Sequence, residues 1–492
     1  MLVVAHAQTK PIRRHIILIA LLCFTVNLFV GTYIGLNKPS HFSDYRAEWN
    51  SDGNNYVRLG ENFWLRHVYS RQPEPPYQPD VKWTPVYPIL AGGINLLFNA
   101  IWPLYAVQIL FSVGTALLTY AIASSKFGTG VGLIAGVICA VDLTLLTLNF
   151  EVMSEPLYVF LSTAALLLWV RLLYAIKNEP SIVLHAFVGF VLGIAILTRP
   201  TGLYLPFLLA IIEFLLFRRR GRHYVVGCVV LIAVAVATVL PWGLRNYIVV
   251  GVPRLTVVDG TNLAYYVAAS VYQVEYGIDD FEVAQARVAS DYSLVSATEA
   301  HNPWLTSRDI ATMDKEWRNA AWEIFRQYPR SLAAAAVRGV TIGLFAHTVS
   351  DLANASKMAW NNPGLHRLQK LELTGFLRGL LSNHTFLVFV FVWEELLMIA
   401  AIGMAIIGIV TGLSSRLSRC GTLALLVVLM YYLCTMALQG LTPDARIRTP
   451  LMPLIYVFAA LGAHRIFSRI PHKRPLINKS RNVRDALDMN EY

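Results

Sequence analysis

Residues 218–247 read RRRGRHYVVGCVVLIAVAVATVLPWGLRNY, and this stretch decides the fold class. Arg218, Arg219, Arg220 and Arg222 crowd one end, residues 224–243 carry no charge, and the next charge is Arg245. About twenty apolar residues are what a helix needs to cross the hydrocarbon core of a bilayer, and a Lys/Arg cluster marks its cytoplasmic end. Nine more runs of the same character lie near 16–35, 105–124, 130–149, 156–173, 182–198, 201–217, 385–411, 420–439 and 450–467. The sequence predicts an all-α polytopic membrane protein with about 10–13 transmembrane helices. Composition agrees: of 492 residues, 56% are hydrophobic and 14% charged, with a mean hydropathy of +0.51. That is more apolar surface than one soluble core hides.

The formal charge of +11 is distributed in clusters between the apolar runs: Lys10 with Arg13 and Arg14, Lys126, Arg171 with Lys177, the 218–222 group, Arg416 with Arg419, and Arg465, Arg469, Lys473 and Arg474. If the N-terminus is cytoplasmic, all of these fall on the cytoplasmic side. The expectation is therefore cytoplasmic N- and C-termini, a first run retained as a signal anchor, and no nucleic-acid partner. Cys23, Cys139, Cys228, Cys420 and Cys434 lie in or beside apolar runs with no CxxC spacing, which argues against a disulfide framework or a zinc site. Two apolar stretches fit no full span: 87–101, bounded by prolines, and 331–350, with Arg338 inside it. Both are expected on the outer face, the first as a juxtamembrane helix. The chain then divides into an N-terminal transmembrane module (1–243) with a first outer loop (36–104), a mostly helical outer domain (244–384), C-terminal transmembrane helices (385–467) and a cytoplasmic basic tail (468–492). Within the outer domain, Trp317, Ala321, Ile324, Phe325 and Tyr328 recur at helical spacing ahead of Pro329.

The first outer loop contains WNSDGNNYVRLGENFWLRHVYSRQPEPPYQPDVKWTPVYP, residues 49–88, with Asp52, Tyr56, Arg58, Glu61, Arg66 and Tyr87. A polar stretch this long between apolar runs is usually functional. Every short outer junction also carries charge: Glu151 and Glu155, Arg199, Arg245, and Asp444 with Arg446 and Arg448. Ionisable groups so placed are functional candidates by default. Arginine's planar fork holds phosphate bidentately and stays charged, so Arg199, Arg245, Arg446 and Arg448 suit a leaving phosphate. A carboxylate such as Asp52 can accept the proton of an attacking hydroxyl. Each residue also has a plain reading: Ser51-Asp52-Gly53 is good turn chemistry, Glu155 before Pro156 suits a helix start, and outer arginines snorkel. His41, His67, His301 and His347 show no ligand spacing, so metal binding by them is not expected; no cofactor is indicated, and a divalent metal, though open, is not supported by ligand spacing.

Taken together the motifs resemble the GT-C class of membrane glycosyltransferases, in the branch that contains bacterial protein O-mannosyltransferases and the lipid A aminoarabinose transferase. The resemblance rests on Asp52 with Tyr56, Tyr69-Ser70, Thr84-Pro85-Val86-Tyr87-Pro88, Ser154-Glu155-Pro156-Leu157, Leu197-Thr198-Arg199-Pro200-Thr201-Gly202, Pro241-Trp242-Gly243-Leu244-Arg245-Asn246-Tyr247 and Arg446-Ile447-Arg448-Thr449-Pro450. It implies a polyprenyl-phosphate-linked sugar as donor, an outer-face lipid, glycan or protein as acceptor, and inverting transfer. Asp52 would be the base and Glu155 a supporting catalytic group. Substrate contacts would come from Tyr56, Arg58, Tyr87, Arg199, Arg245, Arg446 and Arg448. Where many relatives carry an Asp-Glu pair, this chain has Asp52 without an adjacent acid, which weakens the case for a bridged divalent metal. Asp44 competes with Asp52 for the role of base.

Two rival classes share the arginines and the helices: a transporter or flippase of lipid-linked sugars, and an O-antigen-type polymerase. Transporters place their charges near the bilayer midplane, often in repeated halves, whereas here they sit at outer helix ends and no repeat is evident. The resemblance points to a bacterial inner membrane with the site on the periplasmic side.

Overall fold

The computed structural model describes residues 2–37, 51–174, 181–218, 222–295, 305–349, 352, 378–383, 385–416, 418–441 and 444–468. Asp44, Lys177, Arg219, Arg220 and the tail beyond residue 468 lie outside the described residues. Among those described, every regular element is helical: α1 (Leu2–Asn37), α2 (Ser51–Arg66), α3 (Val86–Phe98), α4 (Trp102–Phe127), α5 (Thr129–Ala140), α6 (Leu143–Leu148), α7 (Glu155–Tyr174), α8 (Ile182–Thr198), α9 (Leu205–Phe217) and α10 (Arg222–Val250). A further helical group follows, with α11 (Asp259–Asn262), a π-helical turn (Leu263–Ala268), α12 (Ala269–Tyr276), α13 (Phe281–Asp291), α14 (Ser307–Gln327) and α15 (Pro329–Leu344). The chain closes with α16 (Thr385–Ser414), α17 (Arg419–Ala437), a 3-10 helix (Ala445–Leu451) and α18 (Met452–Phe467).

The protein is an all-α polytopic membrane protein. Eight stretches are long and apolar enough to cross a bilayer: Pro11–Asn37, Trp102–Phe127, Glu155–Leu173, Pro200–Phe217, Arg222–Val250, Thr385–Ser414, Arg419–Ala437 and Ala445–Phe467. They coincide with eight of the ten apolar runs. Of the other two, 182–198 is the shorter helix α8, and 130–149 is not one helix. It breaks at Asp142, whose carboxylate caps α6 by accepting from the Leu145 N–H at 3.1 Å and also accepts from the Tyr456 hydroxyl at 2.5 Å. A capping acid with two partners outcompetes continuation of α5. The 87–101 stretch forms the short apolar helix α3, and the helical spacing around Trp317 becomes α14, started by a Thr306–Asp309 capping box.

Helix interiors are less free of charge than the apolar runs imply. Glu213 in α9 meets His185 in α8 at 2.7 Å with both side chains fully buried, and Glu394 in α16 pairs with Arg448 at 2.7 Å. Each acid is tolerated because a neighbouring element supplies its partner, a relation that hydropathy along one segment cannot report.

The main core gathers α1, α4, α5, α7, α8, α17 and α18 around Tyr158, Trp169 and Phe458. A second core, built from Tyr56, Tyr87, Leu104, Tyr105 and Phe150, seats α2 and α3 on the bundle. That seat requires glycine. A Cβ on Gly60 of α2 would lie 2.0 Å from the Pro88 carbonyl oxygen, and one on Gly92 of α3 would lie 2.4 Å from the Gly60 carbonyl carbon. Only two residues without side chains let these backbones meet, and α2 carries Asp52.

Candidate active site

Asp52 stands in the first turn of α2, where a carboxylate suits the helix dipole. Its side chain is 37% exposed. One turn on, Tyr56 turns inward and its ring meets Tyr87 edge-on at 5.2 Å and Trp83 at 6.3 Å. The buried Tyr87 hydroxyl donates to Gln108 Oε1 at 2.6 Å. Gln108 Nε2 in turn donates to the carbonyls of Asn149 at 3.0 Å and Glu151 at 2.8 Å. Asn149 is also tied to Ser112 at 2.9 Å and to Asn27 of α1 at 2.7 Å. This satisfied polar relay fixes the turn that leads to Glu155 at the start of α7.

Glu155 is 1% exposed and forms an ion pair with Arg199, whose Nη1 also lies 3.2 Å from Ser154 Oγ. Arg199 terminates α8 in an extended conformation. The preceding carbonyl, that of Thr198, accepts from Thr84 Oγ1 at 3.0 Å, so the Thr84-Pro85 segment of the first loop is docked beside the arginine. From the far end of the chain comes Arg446, on the 3-10 helix capped by Asp444. Its Nη1 is 3.6 Å from Asp52 Oδ2, its Nε is 3.2 Å from Asp444 Oδ2, and Nη1 also lies 3.6 Å from the Met153 sulfur. Burial first, and then the Asp52 charge, pushes the Tyr56 hydroxyl well above the usual phenol range, which keeps it a hydrogen-bond donor.

Asp52, Tyr56, Glu155, Arg199 and Arg446 thus converge from the α2, α7 and α8 ends and the Ala445–Leu451 helix. Arg58 is exposed on α2 and joins no part of this cluster that the structure shows. Tyr87 lies behind Tyr56 as a fully buried support. Arg245 belongs to an adjoining group: it donates to the Asp80 carbonyl and stacks over Trp242 at 4.8 Å and Tyr69 at 5.7 Å. Arg448 projects away into protein, donating to the carbonyls of Leu344 at 3.1 Å and of Ala346, to Thr144 Oγ1 at 2.9 Å and to Glu394 at 2.7 Å.

The adjoining group holds residues that the sequence did not single out. Arg71 pairs with Asp80 at 3.1 Å, both buried, and the Asp80 carboxylate accepts from the Lys82 N–H at 2.7 Å. The Arg71 guanidinium and the Lys82 ammonium lie 5.4 and 5.3 Å from the Trp83 ring. Burial, reinforced by the Arg71 charge, lowers Lys82 to about 8, while Asp80 and Asp52 oppose the shift. Lys82 is therefore within electrostatic range of the candidate base. Its only cue in the sequence was a basic residue set between an acid and Trp83 in a Pro-rich loop. Among the described residues, no three His, Cys, Asp or Glu side chains come together as metal ligands.

Fold and site together define an all-helical membrane protein with a partly exposed acid beside half-buried arginines. Residues 82–242, about a third of the chain, match the family model for dolichyl-phosphate-mannose-protein mannosyltransferases, which bears out the GT-C resemblance. None of the curated proteins compared is a match. Among solved structures, the Archaeoglobus fulgidus oligosaccharyltransferase complex with zinc and sulfate matches with TM-score 0.47 at 15% identity, over 92% of this chain and 49% of that one. AglB from the same organism, in complex with an inhibitory peptide and a dolichol-phosphate, gives 0.46 at 14%, over 95% and 54%. ArnT from Cupriavidus metallidurans bound to undecaprenyl phosphate gives 0.38 at 13%, over 91% and 78%. The chain spans about half the length of the archaeal proteins it matches.

Proposed function

We propose that this protein is an integral-membrane glycosyltransferase that moves a hexosyl or pentosyl group from a polyprenyl-phosphate donor to an outer-face lipid, glycan or protein. The observation that carries the reading is the 3.6 Å approach of Arg446 to the partly exposed Asp52, beside the pair that buried Glu155 forms with Arg199. An accessible carboxylate next to guanidinium groups suits the two ends of an inverting displacement. Asp52 accepts the proton of the acceptor hydroxyl as its oxygen bonds to the anomeric carbon. The bond from that carbon to the phosphate oxygen breaks, and Arg446 and Arg199, with Lys82 in range, neutralise the charge gained by the departing polyprenyl phosphate. Glu155 holds Arg199 in place, Tyr56 donates toward the reacting oxygens, and Arg245 braces the loop carrying Lys82. The Lys/Arg distribution supports cytoplasmic termini and a periplasmic site in a bacterial inner membrane, with residues 244–384 as the outer domain. The test is transfer from synthetic polyprenyl-phosphate sugars to an envelope acceptor by purified protein, compared with Asp52→Asn. Equal transfer by both proteins rejects the assignment of Asp52, and flipping of the lipid without transfer rejects the enzyme.

A further inference from the structure

Arg446 and Arg448 sit two residues apart on one short 3-10 helix, Ala445–Leu451. Three residues per turn separate their directions by about 240°, so one cannot follow the other into the same cavity. Arg446 faces Asp52, and Arg448 is 3% exposed with its guanidinium spread over four protein acceptors. Those acceptors belong to three separate pieces of chain. Thr144 is in α6, Glu394 is in α16, and the carbonyls of Leu344 and Ala346 belong to the segment by which the chain leaves α15. Glu394 grips the same segment from the other side, accepting from the Thr348 N–H at 3.0 Å and the Thr348 hydroxyl at 2.7 Å. Thr348 Oγ1 and Thr144 Oγ1 are themselves 3.4 Å apart.

We infer that Arg448 and Glu394 form a buried latch that positions Arg446, and that the 344–348 segment is what the latch grips. They are positioning residues rather than substrate contacts. A seven-residue 3-10 helix containing Pro450 has few hydrogen bonds of its own, so its orientation depends on what its side chains hold. A planar guanidinium with forked donors can fix that orientation against two carbonyls and a carboxylate, which an ammonium cannot. Two desolvated charges add little net stability compared with a packed apolar pair. The structure gives them a geometric task instead: moving the exit of α15 moves Arg446. The role follows from the proposed phosphate contact of Arg446, and its test is built to separate the two.

The experiment compares Arg448→Lys, Glu394→Gln and the double variant Arg448→Leu/Glu394→Leu with the parent protein by thermal unfolding, by kcat and donor KM, and by amide hydrogen exchange. The apolar double variant removes both buried charges together, so it is expected to lose less stability than Glu394→Gln, which leaves the Arg448 charge unpaired. All three variants should lose about 10- to 100-fold in kcat, with donor KM changed far less, because a displaced Arg446 is missing mainly from the transition state. Exchange should rise together in peptides covering 344–349 and 445–451, by about tenfold, while peptides covering 51–66 stay as in the parent. A double variant with parental kcat, or exchange unchanged at 445–451, overturns the latch. If the parent protein transfers no sugar, the glycosyltransferase reading falls, and joint exchange at the two segments still decides the latch.

Discussion

Asp52 and Arg446 approach to 3.6 Å from distant parts of the chain, one on α2 and the other just ahead of α18. Glu155 and Arg199, from the middle, form the second pair beside them. The site is closed by long-range pairing, and its behaviour under substitution follows from which member of each pair is buried.

Asp52 is exposed enough for its charge to matter chemically more than structurally. Asp52→Asn keeps the shape and removes the proposed base, so transfer should fall about 100- to 10,000-fold, while thermal unfolding shifts little, as for surface changes of about ±0.5 kcal/mol. Steady-state kinetics and a melting curve on the same preparation check both halves.

Glu155 presents the opposite case, being buried against Arg199. Glu155→Ala leaves that half-buried guanidinium without its carboxylate, and losing the charged partner of a partly buried group costs about 1–3 kcal/mol. Thermal unfolding in detergent should show a clear loss of stability along with the loss of transfer. Retained stability would mean that Arg199 has found another partner.

Lys82, lowered from an ordinary 10.5 to about 8 by burial and by Arg71, supplies a pH dependence. Between those values the unfolded chain holds a proton that the folded one has lost, so stability rises with pH across the window. Below about 8 the buried ammonium is charged and its desolvation cost is fully present. Donor affinity should run the other way: a charged Lys82 attracts phosphate, so donor KM should climb as pH passes about 8. In Lys82→Arg, which stays charged, that climb should vanish.

Gly60 and Gly92 allow α2 to lie directly on α3, with no flexible side chain at the contact to give way. Gly60→Ala drives a methyl group into the Pro88 carbonyl and should cost about 1–3 kcal/mol by overpacking. Because α2 carries Asp52 and Tyr56, transfer should fall by more than the loss of folded protein explains. Activity normalised to folded protein, measured by size-exclusion recovery, tests this.

Much of the architecture is written locally. Apolar length and Lys/Arg placement predict the spans because a bilayer demands both from each segment separately, and the short apolar helix after the Pro-rich loop follows from the same rule. The break at Asp142 was not legible there, since its second partner, Tyr456, comes from the last helix. Nor was Glu394, which looks like an intrusion in an apolar run until Arg448 and Thr348 are set against it.

For the site, the sequence by itself determined the types of group: an acid in the polar stretch after the first apolar run, acids and arginines at the ends of later helices, and a GT-C-like order of motifs. Only the tertiary structure decided which of them meet. It set Arg446 beside Asp52 and turned Arg448, two residues away, into the protein, and it paired Arg71 with Asp80 and set Lys82 beside them, residues that lie between the quoted motifs. The reason is physical. Crossing a membrane is a property that each segment must satisfy alone, whereas the direction and burial of a charged side chain depend on partners that remote segments supply.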